Sequence, residues 1–98
     1  MTVDKPEKHT VAKVILIDSF GNLFVAGMAR DTDDIHHWIV RFSSDFGKTW
    51  KTIDDYEGDR GAIVVSGGVA EKPRAIFLTG YEISSTGAFR WITREVNY

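Results

Sequence analysis

Short apolar runs alternate with short polar breaks along the chain, and none of the runs repeats convincingly at helical spacing. VAKVILID at 11–18 is rich in β-branched residues, and NLFVAGMA at 22–29 is the next apolar run. The SFGN break between them carries Gly21 and Asn22, so the two runs read as a hairpin. RDTDD at 30–34 is a polar, acidic loop. HHWIVRFS at 36–43 and TWKTIDDY at 49–56 read as a third and a fourth strand, with SSDFGKTW at 43–50 as the turn that joins them. EGDRG at 57–61 breaks the pattern again. Residues 1–10 are polar and charged with little to bury, and are expected to form a flexible lead-in. The pattern predicts an all-β chain of short strands and tight turns.

The chain also resembles itself. Residues 22–29 match 75–82, and 36–42 match 89–95, both at an offset of 53: Gly27 falls on Gly80, Trp38 on Trp91, Ile39 on Ile92 and Arg41 on Arg94. Ala12 to Ile15 aligns with Ala62 to Val65 at an offset of 50, which requires a second turn, SGGVAEKPR, three residues longer than the first. The chain is therefore read as two copies of one unit of three or four strands.

Composition narrows the classes. With 98 residues the chain holds one small domain, and 43% apolar with 27% charged residues is ordinary for a globular protein. The net charge of −2 argues against a non-specific nucleic-acid partner. The absence of cysteine excludes disulfides and thiolate metal sites. No apolar run approaches the roughly 18 residues that span a bilayer, and residues 1–10 lack the apolar core of a signal peptide. The expectation is a cytoplasmic protein without membrane contact, or a secreted one if a signal has been removed.

SSDFGKTW supplies Ser43, Asp45, Gly47, Thr49 and Trp50, every defined position of S-x-D-x-G-x-T-W. This resembles the Asp-box, or BNR repeat, of sialidases and many β-propeller proteins. The likeness covers residues 12–56 well and 62–95 more weakly. It implies two antiparallel propeller-like blades in a single domain, one of four strands at 11–57 and one of three at 58–98. It also implies that the box is a peripheral turn away from any ligand. The residues agree with a structural role: short oxygen-bearing side chains hold turns closed, Gly47 permits positive φ, and Trp50 is large enough to anchor the next strand to the core. The Gly-Lys-Thr within it lacks the upstream glycine and following helix of a phosphate loop.

Other candidates are weighed residue by residue. His36 and His37 are adjacent and point to opposite faces of a strand, so they do not share a metal readily. Asp31, Asp33 and Asp34 alternate as in a calcium loop but lack its glycine and distal glutamate, so a solvated loop is expected. Trp38 and Trp91 are read first as core residues, with a sugar-stacking surface as the alternative. Arg41 and Arg94 lie three residues further, on the opposite face from their tryptophans. The resemblance to sialidases, which hold a carboxylate with arginines, makes them ligand candidates. Trp38, Arg41, Trp91 and Arg94 are thus the residues singled out for ligand contact; no metal, cofactor or catalytic set is expected.

The second unit ends before its own Asp-box, so sialidase activity does not carry over, and two blades do not close a ring. Open faces and a bare edge at 89–97 imply completion by further copies, by a strand from elsewhere, or by folding of the seven strands into a small sandwich. The expected function is a non-catalytic binding module, a homo-oligomer that binds a glycan or a protein. The alternatives are a small inhibitor or adaptor of the kind carried by phages and mobile elements, acting through its open edge and the acidic stretches Asp31 to Asp34 and Asp54 to Asp59, or a piece of a longer propeller.

Overall fold

The computed structural model describes residues 9–58, 62–72 and 74–98. It contains seven strands and, among the described residues, no helix: β1 (His9–Ile17), β2 (Leu23–Arg30), β3 (His36–Ser43), β4 (Lys51–Glu57), β5 (Ala62–Lys72), β6 (Ala75–Ile83) and β7 (Phe89–Asn97). They form two antiparallel sheets in which every strand pairs with its neighbour in sequence. Sheet A runs β1-β2-β3-β4 and sheet B runs β5-β6-β7. The lead-in expected at 1–10 divides: 1–8 lie outside the described residues, while 9 and 10 already pair with Arg30 and Ala29 as the start of β1.

One device builds the turns. A side-chain oxygen accepts the backbone N–H groups two and four residues on and so closes a five-residue loop. Asp18 does this for Phe20 and Asn22, Asp31 for Asp33 and Ile35, and Ser84 for Thr86 and Ala88. Asp31 and Ser84 stand at equivalent places in the two units, so a hydroxyl performs in one what a carboxylate performs in the other.

The self-similarity reappears as hydrogen-bond register. Phe24↔Phe42 and Met28↔Trp38 in sheet A recur as Phe77↔Glu95 and Tyr81↔Trp91 in sheet B, each 53 residues on. The first strands follow the same offset. Ala12 pairs with Gly27 before a bulge and Val14 with Ala26 after it; Val65 pairs with Gly80 and Gly67 with Thr79 around an equivalent bulge. The alignment of Ala12 with Ala62 at an offset of 50 is therefore corrected: Ala12 corresponds to Val65, and no longer second turn is needed. SGGVA belongs to β5, an eleven-residue strand, rather than to a turn.

The bulges explain the two paired glycines. Each bulge pushes a carbonyl toward the neighbouring strand. A Cβ on Gly27 would lie 2.1 Å from the Val11 oxygen, and one on Gly80 would lie 2.0 Å from the Val64 oxygen.

The core lies between the sheets. Phe24, Ala26, Trp38 and Val40 from sheet A meet Ile63, Val65, Ile76, Leu78 and Val96 from sheet B, and all are buried. Burying an aliphatic or phenylalanine side chain of this kind is worth roughly 1.5–3 kcal/mol. Trp38 is the largest fully buried side chain, and its ring comes within 3.1 Å of where a Gly80 Cβ would stand. Tyr98 completes one end: its ring packs edge-on against Phe24 and beside Phe42, and its hydroxyl donates to Asp18 at 2.6 Å.

Gly27→Ala and Gly80→Ala should each lower stability by roughly 1–3 kcal/mol, the usual cost of overpacking. Gly67→Ala, whose Cβ meets nothing within 4 Å, is the neutral control. The measurement is the urea midpoint at unchanged slope.

Candidate functional site

The SSDFGKTW turn is a self-contained hydrogen-bond cluster. Ser43 is buried; its hydroxyl accepts the Gly47 N–H at 2.8 Å and donates to Asp45 Oδ1 at 2.8 Å. Asp45 Oδ1 also accepts the Thr49 N–H at 2.9 Å, and Asp45 Oδ2 accepts the Thr49 hydroxyl at 2.5 Å. Those bonds, led by the Thr49 hydroxyl, hold the Asp45 carboxyl down to about 2. A carboxylate fixed this way stays ionised at neutral pH and closes the turn. Gly47 has φ of 89°, as the turn requires. Trp50 takes a different role from the core anchor expected of it. Its indole N–H donates to the Gly47 carbonyl at 2.9 Å and its ring covers that glycine, so it locks the turn instead. Both Thr49 and Trp50 precede β4, which starts at Lys51.

The acidic stretches are also committed within the chain. His37 lies between two carboxylates, with Nε2 at 2.8 Å from Asp31 Oδ2 and Nδ1 at 2.7 Å from Asp55 Oδ1. Burial alone would lower the His37 pKa; the bonds and charges of Asp31 and Asp55 outweigh it and raise it. The bond from His37 likewise holds Asp31 below the usual carboxylate range. Asp31 is thus a turn-builder with an imidazole partner rather than part of a purely solvated loop. Asp54 and Asp55 lie in β4, and Asp59 lies outside the described residues. No group of three His, Cys, Asp or Glu that could hold a metal occurs among the described residues.

The four side chains singled out for ligand contact separate. Trp38 is 0% exposed, filling the joint between the sheets, so it offers no surface to a ligand. Trp91, its counterpart, is 90% exposed on the outer face of sheet B, and the expectation of core packing fails for it. Arg41 is buried. Arg94 reaches from β7 across to β4 and grips Asp54 with two bonds of 2.8 and 2.7 Å, while its guanidinium lies 4.7 Å from the Tyr56 ring centre. These are structural ties between the sheets.

Among the clefts that open where the sheets meet, two gather charged and aromatic side chains, and sequence reasoning found neither. One lies beside Tyr56, Glu82 and Arg90. The Glu82 carboxylate there is buried, bonded by Arg90 and by the Tyr56 hydroxyl at 3.3 Å. The other is lined by Asn22, Phe42, Lys51, Arg74, Asn97 and Tyr98. Lys51 stands 5.5 Å from the Phe42 ring centre, and the Tyr98 phenol is pushed up to about 12, first by burial and then by its bond to Asp18. It joins two cations, two amides and two aromatic rings contributed by both sheets. No local motif marks this set, because its members come from five separate segments. Compared with family models, with curated proteins and with solved structures, the chain matches none.

Ser43→Ala leaves the buried Gly47 N–H without its acceptor and should cost roughly 1–3 kcal/mol, read as a lower urea midpoint. The Asp45 pKa is depressed below its ordinary value, so its contribution is complete above about pH 4 and lost as pH falls toward 2. Acid unfolding of Asp45→Asn should lack that component. The His37 pKa is raised, so the stability it contributes is complete below about pH 6.5 and lost as pH climbs through the folded value. His37→Gln should flatten the stability profile on that alkaline side.

Proposed function

We propose that the protein is a non-catalytic binding module made of two blade-like sheets, which works as an assembly of several copies and presents the Lys51–Arg74 cleft to an anionic glycan. The observation that carries this reading is the contrast between equivalent residues. Trp38 closes the joint between two sheets, while Trp91 holds the same place in sheet B and stands 90% exposed. Exposed apolar patches of this kind mark interaction surfaces. The hydrogen-bonded turn carboxylate, the occupied arginines and the paired histidine all favour binding over catalysis, since these polar groups are engaged in holding the fold.

The cleft supplies what an acidic sugar requires: Lys51 and Arg74 for the charge, Asn22 and Asn97 for hydroxyls, and the Phe42 and Tyr98 rings for the apolar face of the pyranose. Repeated clefts on one assembly would add avidity to a weak single site. A second reading, a protein adaptor, is favoured by β4 and β7, which end their sheets and offer free edges for strand addition.

Light scattering after size exclusion should give a discrete oligomer of the 11.0 kDa chain; a monomer at every concentration would overturn the assembly. On a glycan array the protein should bind acidic glycans, with Lys51→Ala and Arg74→Ala each weakening binding about tenfold, as for loss of a charge-assisted bond. Silence on the array, with a protein recovered through the β7 edge, would instead establish the adaptor.

A further inference from the structure

Both outer faces of the molecule carry a cluster of apolar side chains, and the two clusters differ in kind. On sheet B the outward apolar residues are Val69, Phe77, Tyr81, Phe89 and Trp91, with Thr79, Thr93 and Glu95 on the same face; Val69, Phe89 and Trp91 are exposed, and the Tyr81 and Phe89 rings stack at 6.0 Å. On sheet A they are Ile15, Ile17, Leu23, Val25 and Ile39, around Gly27, with Ile15 and Ile17 more than 60% exposed.

The repeat register identifies each face. Phe77, Tyr81 and Trp91 are the counterparts of Phe24, Met28 and Trp38, the sheet A residues that fill the joint inside the chain. Leu23, Val25 and Ile39 are the counterparts of Ile76, Leu78 and Ile92, the sheet B residues that receive them. Gly27 is the counterpart of Gly80, against which Trp38 lies. The joint therefore pairs two unlike faces of one repeated unit, and each molecule leaves one of each kind open.

We infer that the Trp91 face of one copy docks on the Gly27 face of a second copy, head to tail, with Trp91 lying over Gly27 as Trp38 lies over Gly80. The occupant is a second copy of this chain because only such a unit carries both halves of the joint. Contact of unlike faces is heterologous, so it propagates from copy to copy and closes into a ring where the rotation per copy allows. This rests on the reading of the protein as an assembly of copies and assigns its interface.

Complementation of two face variants tests it. Trp91→Asp blocks one face and the double variant Ile15→Asp/Ile17→Asp blocks the other. All three positions are exposed, so both variants should keep the wild-type far-ultraviolet spectrum and urea midpoint. Each variant alone should lose self-association by more than about tenfold, as for a buried aromatic anchor. Mixed in equal amounts, they should form a one-to-one dimer through the intact face of each, read by light scattering. A wild-type oligomer with no dimer in the mixture, or an Ile15→Asp/Ile17→Asp variant that still self-associates as wild type, would overturn the head-to-tail pairing and leave the assembly standing. A wild-type chain that stays monomeric would overturn both.

Discussion

Everything in this protein turns on a tryptophan packed against a bare backbone. Trp38 needs a surface without a side chain, and Gly80 provides it at the centre of β6. Gly80 is itself demanded by the bulge in β5, which drives the Val64 carbonyl into the space a Cβ would fill. One local irregularity thus fixes the residue, the residue makes the recess, and the recess admits the largest core side chain. The flanking contacts, Met28 with Val65 and Leu16 with Gly68, follow from the spacing that this recess sets.

Around that centre the polar groups act as rivets. At one margin Arg94 grips Asp54 and Arg90 donates to the Tyr56 hydroxyl, so the outer strands β7 and β4 of the two sheets are tied by polar bonds. At the other end Tyr98 spans both sheets to reach Asp18. Burial and hydrogen bonds work against each other at Asp18, and the bonds from Tyr98, Asn22 and Phe20 prevail, keeping it ionised below the usual carboxylate range. Three turns use the same economy of means, a single oxygen of Asp18, Asp31 or Ser84 closing the loop, so the register of the strands they join is set locally.

Much of this was legible in the residues. The strands from Val11 to Tyr56, the turn at Ser43 to Trp50 and the offset between Gly27 and Gly80 all follow from alternation, turn chemistry and self-comparison. The boundary of β5 was not, because Gly67 and Gly68 read as a turn when they mark a bulge and a close approach in a strand. Nor was the divergence of Trp38 and Trp91. The two share their register and the Ile and Arg that follow them, and only the polar Thr93 and Glu95 beside Trp91, where Val40 and Phe42 stand beside Trp38, distinguish the two faces. The cleft at Lys51 and Arg74 depends on contacts from separate segments, for which a single sequence holds no local signal, whereas the bond from Trp50 to the Gly47 carbonyl is local to the turn.

The strand order has a consequence for how the molecule comes together. Each sheet is a meander of adjacent strands, so its contacts are short in sequence and its hairpins close early. Only the joint brings residues of distant strands together, so loop-closure entropy weighs most on that step. Until it closes, the Trp38 face of every chain stands open beside the sheet B faces of all the others. Refolding is then a competition between an intramolecular partner at fixed local concentration and an intermolecular one that strengthens with every chain added. A lower chain concentration therefore favours the joint closed within one chain.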